Sequence, residues 1–178
     1  MNPTFAAVAE TWHDFYLAAG TASATLVGLL FVALSLNLDV VTADDGMGIR
    51  VLAEQAFADF VFVLLIALFV LVPNQDAISL TIQLATVGAF GTFRVARRWS
   101  LFRRPDDAFI TRRYLIRRLG LPGLASVGLI LVALWFPTQP LSAFFWLLGI
   151  VLLFLMSAAD SCWDLLVEVG RFRRRTSG

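Results

Sequence analysis

Residues 15–38 read FYLAAGTASATLVGLLFVALSLNL, an uncharged run bounded by Asp14 and Asp39. A helix needs about 20 apolar residues to cross a bilayer core ~30 Å thick, so this stretch is long enough to span. Its first half is unusual for a lipid-facing surface, because Gly20, Thr21, Ala22, Ser23, Ala24 and Thr25 are all small. It reads as the first transmembrane helix, and as a surface for helix packing or for lining a pore.

Upstream, residues 3–14 (PTFAAVAETWHD) read as a short interfacial helix leading into the span, with Pro3 at its start. Trp12 and Tyr16 are expected at headgroup level, where amphipathic rings are favoured. No basic segment precedes the apolar run, and Glu10 and Asp14 do, which argues against a secretory signal. Downstream, residues 39–52 form a polar turn region. Further spans follow at 53–72, 77–96, 121–137 and 141–160. Tight reversals fall at Pro73–Asp76 and Pro137–Pro140. Between the third and fourth spans lies a basic connector with an interfacial helix at 106–118, and a break is expected at Gly120-Leu121-Pro122-Gly123. The last helix continues beyond the membrane over 160–172. No second domain and no internal repeat is visible.

Composition supports the same reading. The chain is 59% hydrophobic and 15% charged, against about 45–50% and about 25% for soluble domains. The fold class is therefore all-α, a polytopic membrane protein with five transmembrane helices. Orientation follows from charge. All fourteen basic residues are arginine, nine of them between Arg94 and Arg118 and four between Arg171 and Arg175. Cationic side chains concentrate on the cytoplasmic side. That places the N-terminus outside and the C-terminus in the cytoplasm. Trp12, Trp135 and Trp146 then fall at the outer boundary, and Trp99 and Trp163 at the inner one. The stretch LVGLLFVALSLNL is similar in style to helices of small prokaryotic membrane proteins. It implies a bacterial cytoplasmic (inner) membrane, and no functional residue is carried over from it.

Four groups of residues stand out. Thr21, Thr25, Gly28, Val32 and Ser35 share one face of the first helix and span about 21 Å. They either pack closely against neighbouring helices or, repeated around a symmetric oligomer, line a polar path constricted at Phe31 or Val32. Asp59 lies within the second span, where an ionisable group needs a partner or a water-filled cavity. Antiparallel geometry offers Arg94 as that partner, with Glu54 as a rival for the same arginine, and makes Asp59–Arg94 an intramembrane charge pair. Gln83 is expected to bond between helices. Asp160, Asp164 and Glu168 recur every four residues as an acidic stripe on the last helix, set to neutralise the connector arginines. Arg112, Arg113, Arg117, Arg118, Arg171, Arg173, Arg174 and Arg175 read as contacts to anionic headgroups of the cytoplasmic leaflet.

The absences bound the chemistry. A single histidine, His13, and a single cysteine, Cys162, allow neither a histidine-based metal site nor an internal disulfide within one chain. No P-loop, dinucleotide fingerprint, HExxH, CxxC or GxSxG motif occurs. The chain is not expected to be an enzyme, to carry a cofactor or metal, or to bind nucleic acid, because the arginine clusters abut apolar spans. The expected function is a homo-oligomeric channel or permeation protein for small ions, with the first helix lining the pore. The alternative is a structural or accessory protein that packs with or regulates a larger membrane complex.

Overall fold

A computed structural model describes residues 5–42, 47–101 and 108–176, with side chains described throughout except at 42, 47, 99–101, 108–119 and 172–176. Every described element is a helix: α1 (Phe5–Ser35), α2 (Leu38–Thr42), α3 (Met47–Val70), α4 (Ala77–Leu101), α5 (Ala108–Trp135) and α6 (Pro140–Thr176). Four stretches, Phe5–Ser35, Gly48–Val70, Ala77–Arg98 and Pro140–Arg171, are long and apolar enough to cross a membrane. Gly120–Trp135 is a shorter apolar helix.

The helix α3 is the hub. It packs against α1 on one side and α6 on the other, while α5 bridges α6 and α4. Apolar side chains gain little by leaving lipid for each other, so close packing of small residues decides which helices meet. Two glycines carry this argument. A Cβ built on Gly88 of α4 would lie 2.7 Å from Ile130 Cγ1 and 3.0 Å from the Ser126 carbonyl oxygen of α5. One built on Gly20 of α1 would lie 3.0 Å from Ala67 Cβ of α3. Thr81 then ties α4 to α5 directly, donating its hydroxyl to the Ala133 carbonyl at 3.0 Å.

Several boundaries differ from the sequence expectation. Residues 5–14 are not set apart from the span, because α1 is continuous from Phe5. The reason lies in its ring contacts. Phe5 sits 6.3 Å from Phe136, and Trp12 stacks on Phe144 at 6.1 Å. Tyr16 is 0% exposed. Its ring lies among Trp12, Phe15 and Phe144, so aromatic packing wins over wetting of the hydroxyl.

At the opposite end, α1 stops at Ser35, and part of the expected polar turn is the helix α2. Val40 of α2 is buried with Leu30, Ile49, Leu52 and Leu165 in a second cluster, and Cys162 packs against it. That cluster also explains why α3 starts at Met47, upstream of 53. The expected break at 120–123 is absent: α5 passes through Pro122 as one helix. Helices in lipid tolerate proline where neighbours hold the backbone. Here Pro122 is buried, and Ser126 Oγ donates to its carbonyl at 2.7 Å.

Two short loops reverse the chain at the end opposite α2. In the first, Asn74 adopts a left-handed φ of 55° and Asp76 caps α4. Its Oδ2 accepts from the N–H groups of Ile78 and Ser79, both at 3.1 Å. In the second, Pro140 takes the first position of α6, where a missing N–H costs nothing.

Candidate functional site: a buried carboxylate and an arginine-lined groove

The polar heart of the molecule begins with two residues one turn apart on α3. Positions i and i+4 of a helix meet on one face, which brings Gln55 against Asp59. Gln55 Nε2 donates to both carboxylate oxygens of Asp59, at 2.9 and 3.1 Å. From α6, Ser157 Oγ donates to Asp59 Oδ2 at 2.5 Å. Gln55, Asp59 and Ser157 are all buried. The surrounding donors suit a carboxylate, which only accepts when ionised.

The cation of this cluster is Arg98. Its Nη1 donates to Gln55 Oε1 at 2.8 Å, and its Nη2 pairs with Glu54 Oε2 at 2.9 Å. Gln55 therefore stands between a guanidinium and a carboxylate and satisfies both, so Asp59 and Arg98 form a charge pair bridged by an amide. The expected direct pair of Asp59 with Arg94 does not form: neither a hydrogen bond nor an ion pair joins them, and Asp59 is held by Gln55 and Ser157. Arg94 instead lies 5.8 Å above the Phe62 ring. Its charge remains close to Asp59, because both line a cavity of about 10 Å³ together with Gln55, Phe62, Arg98 and Ser126. The reason is reach. Gln55 and Ser157 already fill the donor positions around Asp59, and the Phe62 face offers Arg94 an alternative seat. Glu54, the expected rival for Arg94, is taken by Arg98.

On the outer side of α3 this cluster borders an open groove of about 790 Å³ between α1, α3 and α4. Ala53 and Ala58 lie within it, with Phe31, Phe57, Phe90 and Phe93 as apolar walls. Arg50, Arg94, Arg97 and Arg98 line it too, with Glu54 as the single acid among the described residues. Arg50 is fixed by its Nε, which donates to the Val41 carbonyl at 2.6 Å.

The other expected site residues are dispersed. Thr21, Thr25, Gly28, Val32 and Ser35 are exposed on α1, and Phe31, also exposed, lines the groove. The hydroxyls of Thr21, Thr25 and Ser35 donate to the carbonyls of Leu17, Thr21 and Phe31, at 2.8, 2.9 and 2.8 Å. Gln83 Oε1 accepts from Gln75 Nε2 at 2.6 Å, so its partner is the loop before α4 and not another helix. Asp160 and Asp164 are exposed on α6, and Glu168 pairs with Arg171 of the same helix at 3.6 Å. The side chains of Arg112, Arg113, Arg117, Arg118, Arg173, Arg174 and Arg175 lie outside those described.

Sequence reasoning singled out Asp59 and missed Gln55, Ser157 and Arg98. For Gln55 a signal existed, since a glutamine one turn from a membrane carboxylate is a ready donor. For Ser157, which lies 98 residues from Asp59 in the chain, no local pattern could have shown it. No family model, curated protein or solved structure matches the chain.

Proposed function

We propose that the chain is the subunit of a homo-oligomeric channel for small ions, with α1 facing the path. The observation that carries this reading is the uneven cover of the long helices. Only 17% of the most apolar window of α1 is buried, against 61% for α3. The uncovered side of α1 carries the Thr21–Ser35 stripe, so a further surface is needed to use it. The interior of one copy is filled by side chains such as Phe62, Ile66, Leu129, Phe144 and Phe154. A path therefore belongs between copies, where symmetric rings place one surface repeatedly around an axis. In this reading the chain crosses a bacterial inner membrane five times, α5 included, with the arginine-rich end in the cytoplasm.

A second reading, an accessory protein of a larger complex, is favoured by one detail. The stripe hydroxyls are satisfied by their own helix, so the face can meet another protein without water. Two measurements separate the readings. The mass of the purified protein in detergent should correspond to four or more copies. Ion flux into liposomes should be present in the wild type and fall at least about tenfold in Thr25→Leu, which narrows a dewetting constriction. A monomer, or flux insensitive to every substitution along the stripe, removes the channel. Labelled termini found on the same side of the membrane remove the five-pass arrangement.

A further inference from the structure

A path along α1 makes no use of Asp59, a carboxyl group 0% exposed. We infer that Asp59 is a site for one exchangeable proton, reached from the groove through a single water seated beside Arg94. The small cavity against Asp59 has a volume of about 10 Å³. One water needs on the order of 10–15 Å³ and about two to four polar partners. Gln55, Asp59, Arg94, Arg98 and Ser126 all border the cavity and supply them. Arg94 and Arg98 also line the open groove, so these two side chains are the partition between groove and cavity. They are held unequally. Arg98 is fixed by both Gln55 and Glu54. Arg94 is half-buried and has the Phe62 face as its seat, with no hydrogen bond or ion pair among the described residues. Arg94 is therefore the side that opens. One turn further along α3 and α6, Phe62 and Phe154 meet with ring centroids 5.3 Å apart and close the interior. Access is one-sided, so the site holds a proton and does not pass it on.

The groups around Asp59 allow the exchange. Arg94 and Arg98 face it from α4, Ser126 from α5, and Ser157 and the half-buried Cys162 from α6. On α3 itself are Gln55 and, beyond Arg98, Glu54. The first helix brings no charge, having none between Asp14 and Asp39. A hydronium from the groove gives its proton to a carboxylate oxygen and leaves as water, and both guanidinium groups keep their charge. Ser157 then turns its hydroxyl from donor to acceptor, while Gln55 still donates to the other oxygen. The inference does not rest on channel activity, since one copy contains the whole site.

The test is infrared difference spectroscopy of the full chain in nanodiscs, between neutral and acidic buffer. A carboxylic-acid C=O stretch should appear while the helical amide bands stay unchanged. It should shift in deuterated buffer and be missing in Asp59→Asn. A band that appears only as the helices unfold, or that ignores deuterium, overturns the site. Should Asp59→Asn fail to fold, Asp59→Glu must move the band, and an unmoved band belongs to another carboxyl and rejects Asp59. The route is tested by the rate of deuterium exchange. Gly91→Ala sets a methyl group against Ser126 Oγ and 3.4 Å from the Phe62 ring, in the cavity wall. Exchange should slow roughly tenfold, because a filled cavity leaves no room for the water. Arg94→Met removes the partition and should speed exchange by a similar factor. Gly149→Ala, whose Cβ meets nothing within 4 Å, should leave it unchanged. Equal rates in all three variants overturn the route. Should Gly91→Ala fail to fold, Arg94→Met alone decides: exchange unchanged or slower rejects access past Arg94.

Discussion

Both α1 and α3 are apolar enough to cross a membrane, yet α3 is mostly enclosed and α1 mostly bare. Hydropathy treats them alike, since lipid and protein interior are equally apolar. What separates them is how each handles its polar groups. In α3, Gln55 and Asp59 cannot satisfy themselves, and they draw in Ser157 of α6 and Arg98 of α4. In α1, each stripe hydroxyl is satisfied one turn back on its own helix and asks for no neighbour. On α1 the exposed stripe hydroxyls are paired within their own helix, while the buried hydroxyls of Tyr16 and Ser23 have no partner among the described residues; on α3 the buried polar groups are joined across helices to α4 and α6.

The largest effect should come from emptying the centre. Asp59→Ala removes the acceptor of the buried donors Gln55 and Ser157, while Arg98 keeps its pair with Glu54. Leaving a buried donor unsatisfied costs about 1–3 kcal/mol each, and thermal unfolding in detergent should show it. Since Gln55 relays the charge of Arg98, Arg98→Gln should be more damaging than Arg94→Gln. The reverse order would restore Arg94 as the partner and dissolve the amide bridge.

A matched pair of glycines tests the contrast on α1 itself. Gly20→Leu drives a side chain into Ala67 of α3, and overpacking of this kind costs about 1–3 kcal/mol. Gly28→Leu meets nothing within 4 Å in the same chain. Its thermal stability should stay within about 0.5 kcal/mol of wild type. If another copy covers that face, Gly28→Leu should still change the subunit mass in detergent. Equal destabilisation of the two would mean that α1 has no free side.

How much of this was legible in the sequence follows the same division. The long apolar helices, the loops at Asn74 and Pro140, and the isolation of Asp59 all follow from local pattern. Helix-breaking signals were overread: Pro122 ends nothing, because buried packing and Ser126 support the backbone through it. The burial of Tyr16 was not legible, because only the fold brings Trp12 and Phe144 around its ring. A direct ion pair of Asp59 with Arg94 was expected and does not form, because Gln55 and Ser157 occupy the donor positions around the carboxylate. Depth along two antiparallel helices says nothing of a donor such as Ser157 brought by a third helix.

The smallest expected effect lies outside the membrane, at the α4 cap. The side-chain hydrogen bond from Ser79 Oγ, followed by the bond from its backbone N–H, holds the Asp76 carboxyl below its ordinary value of 3.8. The folded state thus binds this proton less readily than the unfolded one. The stabilisation is complete above the unfolded value and disappears as pH falls through the folded one. Asp76→Ala should lower Tm slightly at pH 7, and the gap from wild type should close in acid below that value. Asp76→Asn keeps an acceptor for the first turn and should fall between the two at pH 7 with no acid dependence of its own. A gap that stays constant with pH would mean that the Asp76 carboxylate does not hold α4 through its charge. The reversal would then rest on Asn74 and on packing alone, as the centre of the molecule does not.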